Sequence, residues 1–242
     1  MNKILVLIPA YNEEQNIRRV IKELEDDFPN SDVLVIDDCS SDNTLQVLKE
    51  IGGVNYISTS YNSGYASALQ LGFKYAVSVG YEYVIQFDGD GQHIASQAKK
   101  LYESIENSDS DIVIGSRFLE ITDYKHSFFR KIGTKLFSFL IRIITGTKIS
   151  DPTSGFQILN KKTFTYYSKK GNFPEYPDAN LIIAMLLNGY KVSEVAVKMR
   201  EREFGVSMHS GIYKPMKYMV NMTYSIFVIL FIRFMRIFQL RK

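Results

Sequence analysis

Asp88-Gly89-Asp90-Gly91-Gln92-His93 is the densest chemistry-bearing run in the chain. Two carboxylates one residue apart make a hard-oxygen pocket suited to Mg2+ or Mn2+, ions that usually complete their shells with phosphate oxygens or water. Gly89 and Gly91 allow the tight turn that aims both side chains one way. A plain polar turn would use the same residues, because Asp and Gly are favoured there. Asp37-Asp38 is a second acidic pair. Adjacent carboxylates repel unless donors engage them, and the N–H and O–H edges of a base or ribose would do so. A turn cap with its neighbour in water is the simpler alternative. His93 either steadies a phosphate or metal, or is a polar residue beside a turn.

The elements that must hold these groups alternate between strand and helix. Apolar runs at 4–8, 33–36, 54–58, 83–87 and 111–115 predict strands, and the stretches between them predict helices. Asn12 with Gln15 suggests a capping box opening a helix to about residue 24, and Asp42 a cap for a helix over 43–51. A further helix is predicted over 64–79. Continuous apolar strands separated by helices imply an α/β fold with a mainly parallel sheet and helices on both faces. In such sheets ligands bind at the carboxyl ends of the strands. Those ends carry Pro9 to Glu13, Asp37-Asp38, and Asp88 with Asp90. No glycine fingerprint follows the first strand, which argues against a dinucleotide-binding Rossmann site. A length of 242 residues, 45% of them hydrophobic, suits one catalytic-size domain. The single cysteine, Cys39, excludes an internal disulfide framework and a Cys-based zinc site. The N-terminus runs directly into a strand, so no secretory signal is expected.

Several further motifs join these in order: residues 8–14 (IPAYNEE), 35–44 (VIDDCSSDNT), 62–69 (NSGYASAL), 88–93 (DGDGQH), 115–118 (GSRF), 151–157 (DPTSGFQ) and 202–207 (REFGVS). Together they resemble family 2 glycosyltransferases, specifically the polyprenyl-phosphate, dolichol-phosphate mannose synthase-like branch. The resemblance implies a GT-A fold, a UDP- or GDP-linked sugar donor and inversion at the anomeric carbon. Pro9, Tyr11, Glu13 and Asp38 would line the nucleoside pocket. Asp88 and Asp90, with Gln92, would hold Mg2+ or Mn2+ on the donor diphosphate. Arg202 and Ser207 would lie near the diphosphate and acceptor phosphate. Family members often carry Lys where this chain has Met208, and His209 stands beside it. Arg117 and Arg130 would hold a lipid phosphate, since guanidinium matches phosphate as a two-pronged donor. An ionised phosphate acceptor needs positioning more than deprotonation. A hydroxyl acceptor would need a base, for which Asp151 and Asp178 are the candidates, Asp151 preferred because it lies inside the 151–157 motif, with capping as the alternative role of each.

Charge is distributed unevenly. Residues 124–150 and 204–242 carry six Lys or Arg each and no acid, whereas the rest of the chain is net acidic. Both basic segments are rich in Phe, Ile and Leu, which indicates a membrane surface rather than nucleic acid. On a helical projection of 127–145, Lys131, Lys135 and Arg142 fall within about 40°, and apolar side chains cover an arc of roughly 220°. An amphipathic helix lying in lipid headgroups fits this pattern, with a core helix edged by solvated lysines as the alternative. Near the C-terminus, 218–232 is uncharged but shorter than the roughly 20 residues a spanning helix needs. The expected organisation is a GT-A domain over 1–212 and a membrane-associating or partner-docking helix over 213–242. Relatives in this branch often carry two or more clear transmembrane helices, so a membrane partner subunit or a homo-oligomer would supply what is missing here. The expected location is the cytoplasmic face of a membrane, peripheral or held by one C-terminal anchor. The expected acceptor is polyprenyl phosphate. A lipid-linked oligosaccharide or cell-wall polysaccharide hydroxyl is the alternative, and a catalytically idle membrane adaptor a remote one.

Overall fold

A computed structural model describes residues 3–120, 128–201, 203–204 and 213–239. Seven strands form one sheet in the order β3-β2-β1-β4-β6-β5-β7. They are β1 (Ile4–Ala10), β2 (Asp32–Asp37), β3 (Asn55–Ser58), β4 (Tyr83–Gln86), β5 (Ile112–Ser116), β6 (Gln157–Asn160) and β7 (Val192–Ala196). All run parallel except β6, which is antiparallel to both β4 and β5. Every residue of β1 is buried, because alternate side chains feed two cores: Leu5 and Leu7 one, Ile4, Val6 and Ile8 the other.

Helices α1 (Ile17–Asp27), α2 (Thr44–Ile51) and α4 (Ala95–Glu106) are linked by contacts with one another or with the sheet, and α1 and α4 line the second core. The first core is closed by α3 (Tyr65–Val79), α5 (Phe128–Thr145), α6 (Lys161–Ser168), α7 (Ala179–Leu187) and α8 (Tyr213–Gln239). Gly72 lets α3 lie directly on β1, since a Cβ there would come within 2.1 Å of Leu7 Cδ1. A mid-helix glycine costs about 1 kcal/mol relative to Ala, and the close approach explains its place.

The strand expectations hold to within two residues at each end. The capping box does not form. α1 starts at Ile17, and the amides of Asn16 and Ile17 instead donate to the Glu13 carbonyl. Asn12 adopts a left-handed backbone (φ 59°) and turns its carboxamide oxygen to the Ser41 amide at 2.8 Å, tying the first strand-end loop to the second. The cap position of the next helix falls on Asn43 rather than Asp42, whose Oδ1 accepts from the Thr44 amide at 2.9 Å.

Helix α5 has one face in the core and another exposed. Thr134, Phe137 and Ile141 are buried, while Ile132, Leu136, Phe139 and Ile143 stay exposed beside exposed Lys135 and Arg142. Helix α8 is continuous through Arg233, and Met216–Met235 is long and apolar enough to cross a membrane. The uncharged count of 218–232 falls short because it stops at Arg233, whose Nη1 donates to the Leu187 carbonyl at 2.6 Å. Only 11% of the most apolar stretch of α8 is buried, which leaves Val220, Tyr224, Phe227 and Phe231 exposed.

Candidate active site

The carboxyl ends of β1, β2, β4 and β5 lie along one edge of the sheet, where the ligand crevice of a parallel arrangement falls. At the end of β2, Asp37 and Asp38 are both buried. Asp37 accepts from Ser58 Oγ at 2.7 Å and from the Ser40 amide at 3.2 Å. Asp38 accepts from the Ser63 amide and hydroxyl at 2.9 and 2.8 Å, from Thr59 Oγ1 at 3.1 Å and from the Gly64 amide at 2.7 Å. Donors from the 59–64 loop thus engage the paired acids, and Asp38 fixes that loop across the crevice. Tyr11 is exposed, Pro9 is buried within β1, and Glu13 Oε2 accepts from Asn16 Nδ2 at 2.7 Å.

Asp88 and Asp90 stand beyond β4. Asp90 is buried, and its Oδ1 accepts from the Gln92 amide at 3.0 Å. Asp88 keeps 31% of its side chain exposed and accepts from the Tyr65 phenol at 3.1 Å. Burial first, and Asp88 next, push the Tyr65 phenol well above its ordinary range, so it remains a donor. Gly155 lies against the same carboxylate, where a Cβ would sit 3.7 Å from Asp88 Oδ2 and 3.0 Å from Tyr65 Oη. Neither role is signalled by the local sequence, although Tyr65 falls in the 62–69 motif and Gly155 in the 151–157 motif.

His93 resolves into a positioning group. It is buried and stacked on Phe156 with ring centroids 4.5 Å apart. Its Nδ1 accepts from the Asp88 amide at 2.9 Å, which places the proton on Nε2, 3.5 Å from Asp88 Oδ2. Burial lowers its pKa against the opposing pull of Asp88 and Asp90, leaving it neutral at pH 7. Gln92 joins the loop to the segment after β7, its carbonyl accepting from the Arg200 amide at 2.9 Å and its Nε2 donating to the Arg200 carbonyl at 3.4 Å. Arg202 and Ser207, expected near the diphosphate, lie outside the described residues, as do Met208 and His209.

Two residues expected to act separately are paired. Arg117 Nε donates to Asp151 Oδ2 at 2.7 Å and Nη2 to Oδ1 at 2.8 Å, and the Arg117 amide adds a third bond at 3.1 Å. Arg117 is 8% exposed and Asp151 fully buried. In this geometry both oxygens of Asp151, one of the two candidate bases, accept from the guanidinium. Arg130 falls in the first turn of α5, with its side chain outside the described residues.

Asp178 is the other candidate base. It precedes α7 and is partly buried, and its Oδ2 accepts from the Tyr218 phenol of α8 at 2.7 Å. Burial pushes its carboxyl up to about 6. The Tyr218 bond and Arg117 pull it back, while Asp151 and Asp88 push it further. A carboxylate with that pKa is of the kind that accepts a proton near neutrality.

Among the described residues no group of three His, Cys, Asp or Glu side chains converges as a metal cage. Asp88 and Asp90 follow β4 two residues apart, and carboxylates are the donor type of an ion that takes its remaining ligands from phosphate and water.

A mainly parallel sheet with one reversed strand, carrying acidic loops at its carboxyl end, is a sugar-transferase architecture of the GT-A type. Glucosyl-3-phosphoglycerate synthase from Mycobacterium tuberculosis, solved in complex with Mn2+, uridine diphosphate and phosphoglyceric acid, shares this fold. The match has a TM-score of 0.65 and 16% identity over 95% of this chain and 78% of that one. Residues 5–167 match glycosyl transferase family 2, and the chain belongs to that family. It is similar to a UDP-N-acetylglucosamine–dolichyl-phosphate N-acetylglucosaminyltransferase of Methanococcus voltae, 28% identical over 86% of this chain and 90% of the relative. It is similar too to the polyprenol monophosphomannose synthase of Mycolicibacterium smegmatis, 27% identical over 86% of this chain and 82% of the relative.

Proposed function

We propose that this glycosyltransferase moves a sugar from a UDP- or GDP-linked donor to polyprenyl phosphate at a membrane surface. One observation carries the reading: Tyr218, on the exposed apolar helix α8, is hydrogen-bonded to Asp178 within the electrostatic reach of Arg117 and Asp88. The lipid-facing element and the crevice are therefore one structure, and a lipid anchored along α5 and α8 would present its headgroup to that crevice. Both dolichyl- and polyprenyl-phosphate relatives support it. The 1–212 and 213–242 division is then one of role, with membrane association peripheral or through α8.

Pro9, Tyr11, Glu13 and Asp38 form the nucleoside side, Asp38 acting partly through the loop it holds. Asp88, Asp90 and Gln92 would hold Mg2+ or Mn2+. When bound, such an ion neutralises charge that develops on the departing nucleoside diphosphate. Tyr65 and His93 keep Asp88 aimed at that place. Arg117, held by Asp151, presents cationic charge to the acceptor phosphate, with Arg130 as a second arginine and Arg202 and Ser207 on the phosphate side. The acceptor oxygen is already anionic and attacks the anomeric carbon opposite the leaving group.

Asp178 favours a second reading. A carboxyl raised to about 6 is suited to take a proton from a hydroxyl, as a lipid-linked oligosaccharide or polysaccharide acceptor would require. The test is incubation with candidate nucleotide sugars, Mg2+ or Mn2+ and farnesyl phosphate, with mass spectrometry of the lipid. A glycosylated farnesyl phosphate that disappears with EDTA is expected. Transfer to lipid-linked sugars, with farnesyl phosphate inert, would favour the second reading.

A further inference from the structure

Glu194 of β7 lies across from Ile114 of β5 and turns its carboxylate toward the loop after α5. Its Oε2 accepts from the Ser150 amide at 2.7 Å, and its Oε1 from the Ser150 hydroxyl at 3.0 Å and the Asp151 amide at 2.8 Å. The Ser150 and Ser116 hydroxyls are 2.7 Å apart, and Ser116 Oγ accepts from the Phe118 amide at 3.2 Å. Because the Ser150 proton goes to Glu194, Ser116 must donate to Ser150. Donation therefore runs one way, from the Phe118 amide through Ser116 and Ser150 to the Glu194 carboxylate. Arg117 sits between the two tethered residues 116 and 118, and Asp151, which grips its guanidinium, is tethered to the same carboxylate.

We infer that Glu194 is a positioning residue for Arg117, acting through Ser150 and Asp151 to set the guanidinium where the acceptor phosphate is held. This rests on the reading of Arg117 as an acceptor-phosphate group. The chemistry requires an acceptor-only side chain at 194, because three donors converge on it. A carboxamide would bring its own N–H toward one of them and reverse part of the chain of donation.

Glu194→Gln keeps the volume and turns one of the two acceptor oxygens into a donor. With farnesyl phosphate as acceptor, its acceptor KM should rise roughly tenfold, the scale seen when a group that orients a ligand-binding side chain is lost. The kcat at saturating acceptor and the donor nucleotide Kd by calorimetry should stay within about twofold. Ser150→Ala, which deletes only the hydroxyl relay, should move acceptor KM the same way by less and serves if Glu194→Gln folds poorly. An unchanged acceptor KM in both variants, or kcat and donor affinity falling together with Tm, would overturn the positioning role while leaving the acceptor reading intact. A wild-type enzyme that transfers sugar but ignores farnesyl phosphate would overturn both.

Discussion

The Tyr218 phenol donates to Asp178 Oδ2 across 2.7 Å, joining the first turns of an exposed apolar helix to the cap of α7 at the crevice. Phe137 of α5 and Tyr176 pack edge-on against the same ring, with centroids 6.3 and 5.9 Å away. The hydrogen bond stabilises the charged form of Asp178, so its loss must raise the carboxyl further. Tyr218→Phe should move any acidic limb that Asp178 imposes on the pH–rate profile to higher pH. A limb that stays in place would show that Asp178 does not govern it.

Asp178 also links pH to stability. Its folded pKa of about 6 lies above the ordinary 3.8, so the folded chain binds the proton more tightly than the unfolded one. The ionised group therefore costs stability above pH 6, and the cost fades as pH falls toward 4. Asp178→Asn, which still accepts from Tyr218, should raise Tm at pH 7.5 and lose that advantage near pH 4. Thermal unfolding at the two pH values checks it.

Breaking the Arg117–Asp151 pair should be expensive. Asp151→Ala strands a guanidinium that is 8% exposed, and uncompensated buried charges of this kind cost about 3–5 kcal/mol. Denaturant titration should show that loss, and Arg117→Lys opposite the intact Asp151 should keep little of the pairing because ammonium lacks the two-pronged geometry.

Asp90→Asn should lower transfer by on the order of 100-fold or more while leaving the circular dichroism spectrum unchanged. Mn2+ binding followed by electron paramagnetic resonance should weaken in parallel. Near-normal turnover in this variant would remove the metal assignment.

Lys135 and Arg142 lie exposed among the exposed apolar residues of α5. Changing both to Glu should reduce flotation with anionic vesicles, and the wild-type interaction should weaken as salt rises. Unchanged flotation would assign membrane attachment to α8 alone.

The first five strands and the acidic loops were legible because each is encoded within a few neighbouring residues: an apolar run, then Asp37-Asp38 or Asp88-Gly89-Asp90; β6 and β7 were not foreseen. The pairing of Arg117 with Asp151 was not, because the two stand 34 residues apart and each separately suits a role of its own. Tyr65, Gly155 and Glu194 were missed for the same reason, their roles arising only where α3, the loop before β6 and β7 converge. Asn12 misled because its local spacing suits a helix cap, whereas the cross-loop bond to Ser41 won. Arg233 marked an apparent end to the apolar stretch because its partner carbonyl, at Leu187, is supplied by another helix.

β6 enters the sheet between β4 and β5, which meet no other partner on those sides. During synthesis, a chain made only as far as β5 therefore has no seat for that strand, and the outer edge of β4 stands open. Main-chain donors and acceptors on such an edge invite pairing with other chains. Arg117 follows β5 directly, so it cannot take its place beside the Asp88 loop until residues 157–160 have left the ribosome. A polypeptide truncated before that point would carry the acidic half of the crevice without its cationic half, and would be a substrate for chaperones and proteases rather than a smaller enzyme.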